Sequence, residues 1–333
     1  MTMDCAAEVL AGAPRAVARL ISWLEDEDER AHPCMEQLHP HTGKAYIIGI
    51  TGSPGAGKST LTDRLTRRLR QHDLTVGIVA VDPSSPFTGG ALLGDRVRMS
   101  QLSTDPGVYI RSMATRGFLG GLARATGEVV KVLDASGKDV IIIETVGVGQ
   151  DEVDIIGIAD TTCVVLVPGQ GDAIQSMKAG IMEIADIFVI NKADHAGADQ
   201  LWSEVCFRIE QDSSIKMREW APPVVKTVAV EDQGVEELRQ AILEHRAYLE
   251  TSGRLLENRR ERTRRETLRM IHEELFRLVR KHLADGGKLD LLVEDILNRR
   301  RDPYSTMREV LQNLLTIEAP AKLGDGVIRA KGP

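Results

Sequence analysis

Residues 52–59 read G-S-P-G-A-G-K-S, a full G-x-x-x-x-G-K-[ST] pattern, and they follow the apolar run YIIGIT (46–51). Glycines at this spacing let successive backbone amides converge on one point, at the positive end of the helix that follows. A chain of phosphates needs such a cradle. Gly52, Ser53, Pro54, Gly55, Ala56, Gly57, Lys58, Ser59 and Thr60 are therefore the candidate phosphate site. Lys58 can reach the β- and γ-phosphates of a nucleotide, and the Ser59 hydroxyl can ligate Mg²⁺. Ser53 stands where a deviant Walker motif would need a second lysine, which weighs against that ATPase class.

The base is read further along. N-K-A-D occupies 191–194 at the end of another apolar run, before the stretch KTVAVEDQGVEEL (226–238). In an N-K-x-D motif the Asp194 carboxylate accepts hydrogen bonds from guanine N1–H and the 2-amino group, donors that adenine lacks. A site built for such pairing rejects the unmatched analogue strongly. Lys192 would lay its methylene stem over the base and Asn191 would brace the loop. Backbone amides near Val228, Ala229 and Val230 would meet the guanine oxygen. The ligand pair expected is GTP and GDP, with Mg²⁺.

IIIETVGVGQ (141–150) carries E-x-x-G where small GTPases carry D-x-x-G. Glu144 is expected to hold Mg²⁺ through water, and the Gly147 amide to face the γ-phosphate. Hydrolysis depends on charge stabilisation and on positioning one water. Asp82 and Asp95, at the two ends of DPSSPFTGGALLGD, are candidates for the metal or catalytic site, with loop acids as the plain alternative. Gln150 lies three residues past Gly147 rather than directly after it, so it is not equated with a water-positioning glutamine.

These loops need a scaffold. Val/Ile-rich runs at 46–51, 75–82, 108–112, 139–145, 161–168, 186–192 and 224–230 alternate with helical stretches. Little alternation within them means burial on both faces, hence an α/β fold with a doubly wound, mostly parallel sheet. Val17, Leu20, Ile21 and Leu24 mark a helical extension over residues 1–42. The GTPase domain is expected over 43–250. Leu268, Ile271, Leu275 and Leu278 open a helical arm over 251–333. The basic run ENRRERTRR (257–265), interspersed with glutamates, reads as a solvated helix face.

A net charge of −7 gives no electrostatic footprint for nucleic acid, and no apolar stretch is long enough for a membrane span. The N-terminal residues show neither a signal nor a transit pattern, so a cytoplasmic setting is expected. Cys5, Cys34, Cys163 and Cys206 stand without metal-ligand spacing and read as reduced thiols.

The blocks GITGSPGAGKSTL, VAVDPSSPFTGGALLGDRVRM, RSMATRGFLGGLARAT, IIIETVGVGQDEVDI, VVLVPGQGDAIQSMKAGIMEIADIFVINKAD and GVEEL resemble the MeaB/ArgK GTPases, over about residues 10–320. That family includes the methylmalonic aciduria type A protein. The resemblance implies a P-loop GTPase core of the SIMIBI class, a helical N-terminal extension and a C-terminal dimerisation arm. It implies a chaperone of an adenosylcobalamin-dependent acyl-CoA mutase, methylmalonyl-CoA mutase first among them. Cobalamin would then be met only through the mutase, whose loading the GTPase gates and which it protects from inactivation. By the match to PGQGDAIQSMK (168–178), Asp172 and Lys178 become candidates for coupling partner binding to hydrolysis. A GTP-dependent metallochaperone of the same class, a nucleotide-dependent kinase and a dimeric scaffold are the alternatives.

Overall fold

The seven apolar runs become seven strands, all parallel: β1 (Tyr46–Gly52), β2 (Val76–Asp82), β3 (Val108–Ala114), β4 (Val140–Thr145), β5 (Thr161–Leu166), β6 (Ile187–Asn191) and β7 (Val224–Thr227), in the spatial order β3-β2-β4-β1-β5-β6-β7. The computed structural model describes residues 5–82, 102–114, 121–145, 157–169, 182–212, 219–284 and 287–317. Strand β1 is central, pairing Ile50 with Glu144 of β4 on one side and Gly52 with Val165 of β5 on the other. From β1 the chain crosses to β2 and β3 on one side, returns to β4 beside β1, and then runs to β5, β6 and β7 on the other. That places a crevice at the carboxyl ends of β1, β4 and β5, where open α/β sheets bind ligands.

Burial on both faces follows the two-residue period of the strands. Val76, Ile78, Val140, Ile142, Cys163 and Val165 join one core, with Leu61 and Leu65 of α4 (Lys58–Arg70) and Leu238 and Ile242 of α7 (Val235–Thr251). Val79, Val81, Ile141 and Ile143 join the other, under α5 (Gly121–Ala135). A third cluster sets Phe188 and Ile190 against Leu201 and Val205 of α6 (Ala198–Gln211).

The N-terminal helices α1 (Cys5–Leu10), α2 (Pro14–Glu25) and α3 (Ala31–Leu38) belong to that second core. Val17, Leu20, Ile21 and Leu24 all turn inward, as their spacing predicts. Proline at the first turn of α2 costs no hydrogen bond, because that amide has no partner inside a helix. Asp134 at the end of α5 accepts from the amides of Gly43, Lys44 and Ala45, tying the segment that enters β1 to the sheet.

Strand β7 stops at Thr227, short of the run expected to 230. The Val228 amide turns to Gln233 O (3.0 Å), and 229–231 close a 3₁₀ turn. The basic run also departs from a purely solvated face. Arg259 donates to Asp160 Oδ2 (2.7 Å), Gly43 O (2.7 Å) and Ala45 O (2.9 Å), and the Asp160 side chain is fully buried. Arg259 is the last residue of the first compact unit, 1–259.

The second unit, 260–333, carries most of α8 (Arg254–Ala284), then α9 (Lys288–Leu297) and α10 (Pro303–Ile317). No residue of α8 is buried. Among the described residues no helix is long and apolar enough to cross a membrane.

Candidate nucleotide site

Strand β1 ends at Gly52 and helix α4 starts at Lys58, so the phosphate motif occupies the turn between them. Gly57 caps α4 with φ 86°, a left-handed conformation that disfavours any side chain. Space forbids one too, since a Cβ at Gly57 would lie 2.4 Å from Asn191 Nδ2. The Lys58 side chain is buried and folds back on the turn, its Nζ donating to Gly52 O (2.6 Å) and Ser53 O (2.9 Å). The ammonium is thus already held inside the loop that would wrap a phosphate chain.

The Ser59 hydroxyl donates to Glu144 Oε1 at 2.5 Å. A serine hydroxyl beside a buried carboxylate is an all-oxygen donor set, which fits a hard cation such as Mg²⁺. Next to this pair, Thr145 Oγ1 donates to Thr51 Oγ1 (2.9 Å), both side chains buried. This hydroxyl link joins the ends of β4 and β1. Sequence reasoning missed it, although two threonines closing otherwise aliphatic strands were a signal for it.

Asn191, buried at the end of β6, connects the phosphate loop to the loop after β7. Its Nδ2 donates to Ala56 O (2.8 Å), while its Oδ1 accepts from Thr227 Oγ1 (3.0 Å) and the Ala229 amide (3.1 Å). Lys192 takes a left-handed turn (φ 56°), closed by His195 N donating to Lys192 O (3.0 Å). The next residue's amide, Ala193 N, bonds Thr227 O at 3.0 Å. The Asp194 carboxylate is half-exposed, with His195 Nε2 3.7 Å away. Thus 191–194 and 227–229 form one bonded unit. The amides of Val228 and Ala229 serve Gln233 O and Asn191 Oδ1, while Val230 is 69% exposed.

Of the remaining candidates, Asp82 ends β2. Asp95, Gly147, Gln150, Asp172 and Lys178 lie outside the described residues. Cys163, the cysteine nearest the switch segments in sequence, is a core residue of β5, and burial pushes its thiol well above the usual range. It offers no open thiolate to a soft metal.

A phosphate loop at the carboxyl end of the central strand, with N-K-x-D beside it, defines a P-loop GTPase. The family described as methylmalonyl Co-A mutase-associated GTPase MeaB matches residues 14–284, and the chain belongs to that family. A putative GTPase of Pyrococcus abyssi is 52% identical over 91% of this chain and 94% of its own length. GTPase ArgK of Escherichia coli is 36% identical over 92% of this chain and 94% of its own. The mouse methylmalonic aciduria type A homolog is 33% identical over 80% of this chain and 66% of that protein. The crystal structure of an LAO/AO transport system kinase shares the fold, with a TM-score of 0.67 over 93% of this chain and 96% of its own, at 24% identity.

Proposed function

We propose that this GTPase is a chaperone of an adenosylcobalamin-dependent acyl-CoA mutase, most specifically methylmalonyl-CoA mutase. It acts as a cytoplasmic homodimer that uses GTP to gate cofactor loading and to protect the mutase. The observation that carries this reading is the match over 14–284 to a family described as mutase-associated. The site is consistent with it, since a complete phosphate loop is braced to N-K-x-D through Asn191.

In this reading Gly52–Thr60 wrap the phosphates, and the Lys58 ammonium exchanges its two loop carbonyls for phosphate oxygens. Ser59 and Glu144, with Asp82 and Asp95 as further candidates, would hold Mg²⁺, which neutralises charge between the β- and γ-phosphates when bound. Asp194 accepts from the guanine edge, and Asn191 keeps the two halves of the site in register. Gly147, Asp172 and Lys178 belong to segments that sense the γ-phosphate and the mutase.

No glutamine directly follows Gly147, so intrinsic hydrolysis should be slow. A partner that supplies charge and aligns water can add about 10³ to 10⁵ in rate. Single-turnover GTP hydrolysis, measured alone and with methylmalonyl-CoA mutase, tests the proposal. Acceleration by the mutase is expected; rates unchanged by this and other acyl-CoA mutases overturn it.

A further inference from the structure

The phosphate helix α4 does more than begin at Lys58. Two turns further on, Arg64 and Arg68 stand one helical step apart, on a face turned toward the turn that follows β7. Arg64 Nη2 donates to Val230 O (3.3 Å), and Arg68 Nη2 is bonded to Asp232 Oδ2. Below them Leu61 and Leu65 share a core with Ala229. Asp232 itself holds a left-handed conformation (φ 60°), with its amide on Ala229 O (3.3 Å), so its carboxylate ends a tight turn rather than a free loop. The same turn is held at its other end by Asn191, through the Ala229 amide.

We infer that Arg64 and Arg68 are positioning residues for the base. They bolt the 229–232 turn to the helix whose first turn holds the phosphates, and so set the span between the guanine and phosphate subsites. The span is carried by a rigid rod: Lys58 to Arg68 is ten residues, about 15 Å of helix. Both guanidinium groups are bonded to the turn. Their effect reaches the base through the turn, by way of the Ala229 amide and Asn191 at the head of the N-K-x-D loop, and it should appear in affinity rather than in chemistry. The inference rests on the guanine reading given above.

The Arg68–Asp232 pair is partly exposed, with side chains at 28% and 35%, so its contribution is modest. In the full-length protein, Arg68→Ala should weaken GDP binding about three- to tenfold by calorimetric titration. The KM for GTP should rise in step, while kcat at saturation changes little. Arg68→Lys keeps the charge and a donor and should recover part of the loss. Asp232→Asn tolerates the left-handed backbone, removes the charge but keeps an acceptor, should weaken binding in the same direction by a smaller factor, and serves if Arg68→Ala does not fold. The double variant should be no weaker than Arg68→Ala alone, because both act on one pair.

GDP affinity unchanged in Arg68→Ala and Asp232→Asn overturns the inference, as does a fall in kcat with KM unchanged. Titration of the wild-type protein with ADP separates the two levels. ADP bound as tightly as GDP overturns the guanine reading and this inference with it. Preserved guanine selectivity with indifferent Arg68 and Asp232 variants overturns the clamp alone.

Discussion

At the residue scale the site divides into groups that touch ligand and groups that hold them. In the proposed reading Asp194 is of the first kind: half-exposed at the tip of its loop, it can turn its carboxylate to a base. Asp194→Asn should convert one acceptor oxygen into a donor, reversing the pairing at the guanine 2-amino position. The variant should lose its preference for GDP over ADP, on the order of 10³ in the parent, and gain affinity for xanthosine diphosphate. Competition titrations with the three diphosphates check this; unchanged GDP selectivity would move base recognition elsewhere. The turn that carries Lys58 and Ser59 and the loop that carries Asn191 and Asp194 were legible as elements because short spaced motifs mark both. Arg64, Arg68 and Arg259 were not. An arginine on a helix reads as a solvated face until the fold brings Val230 O, Asp232 or Asp160 beside it.

At the scale of elements, the strand runs were legible because burial on both faces leaves little but Val and Ile. Where β7 ends was not, since TVAV continues the apolar pattern while the backbone turns toward Gln233. The amino ends of the strands, opposite the nucleotide site, hold a polar cluster that no motif announced. Thr161 Oγ1 at the start of β5 is shared by the Tyr46 hydroxyl (2.5 Å) and His245 Nδ1 of α7 (2.8 Å). Trp220 lies 4.8 Å from the imidazole, ring to ring, and Asp186 Oδ1 is 3.6 Å from Nε2. Burial lowers the His245 pKa from 6.5 to about 4, opposed in part by the Asp160 charge. The unfolded chain therefore binds this proton more readily than the folded one. Stability is full above about pH 6.5, declines as pH falls toward 4, and levels below, a loss of about 3 kcal/mol if His245 alone is counted. Denaturant unfolding of wild type and His245→Gln across pH 4.5–7.5 measures it. The wild type should lose more stability on acidification than the variant, and equal slopes would show that His245 does not set the dependence.

At the scale of the molecule, the chain divides where a buried contact ends. Arg259, bonded to Asp160 and to two backbone carbonyls at the entrance of β1, closes the first unit. Past it, α8 exposes Leu268 (60%), Ile271 (52%) and Leu275 (53%). With Leu278 these stand at steps of three, four and three residues, the seam that two helices bury against each other. A stripe of this kind on a 31-residue helix with no buried residue invites a second helix, and the proposed homodimer supplies one. Charging the seam in the full chain, as Ile271→Glu with Leu275→Glu, should weaken the dimer by two orders of magnitude or more. Each residue forfeits roughly 1.5–3 kcal/mol of burial and sets a carboxylate against its counterpart. Light scattering should then find monomers at concentrations where wild type is dimeric. GDP affinity should stay within about twofold, because the nucleotide groups identified among the described residues all lie before Arg259. A dimer that survives both charges would place the interface off this seam, and wild-type monomers would remove the dimer from the proposal altogether.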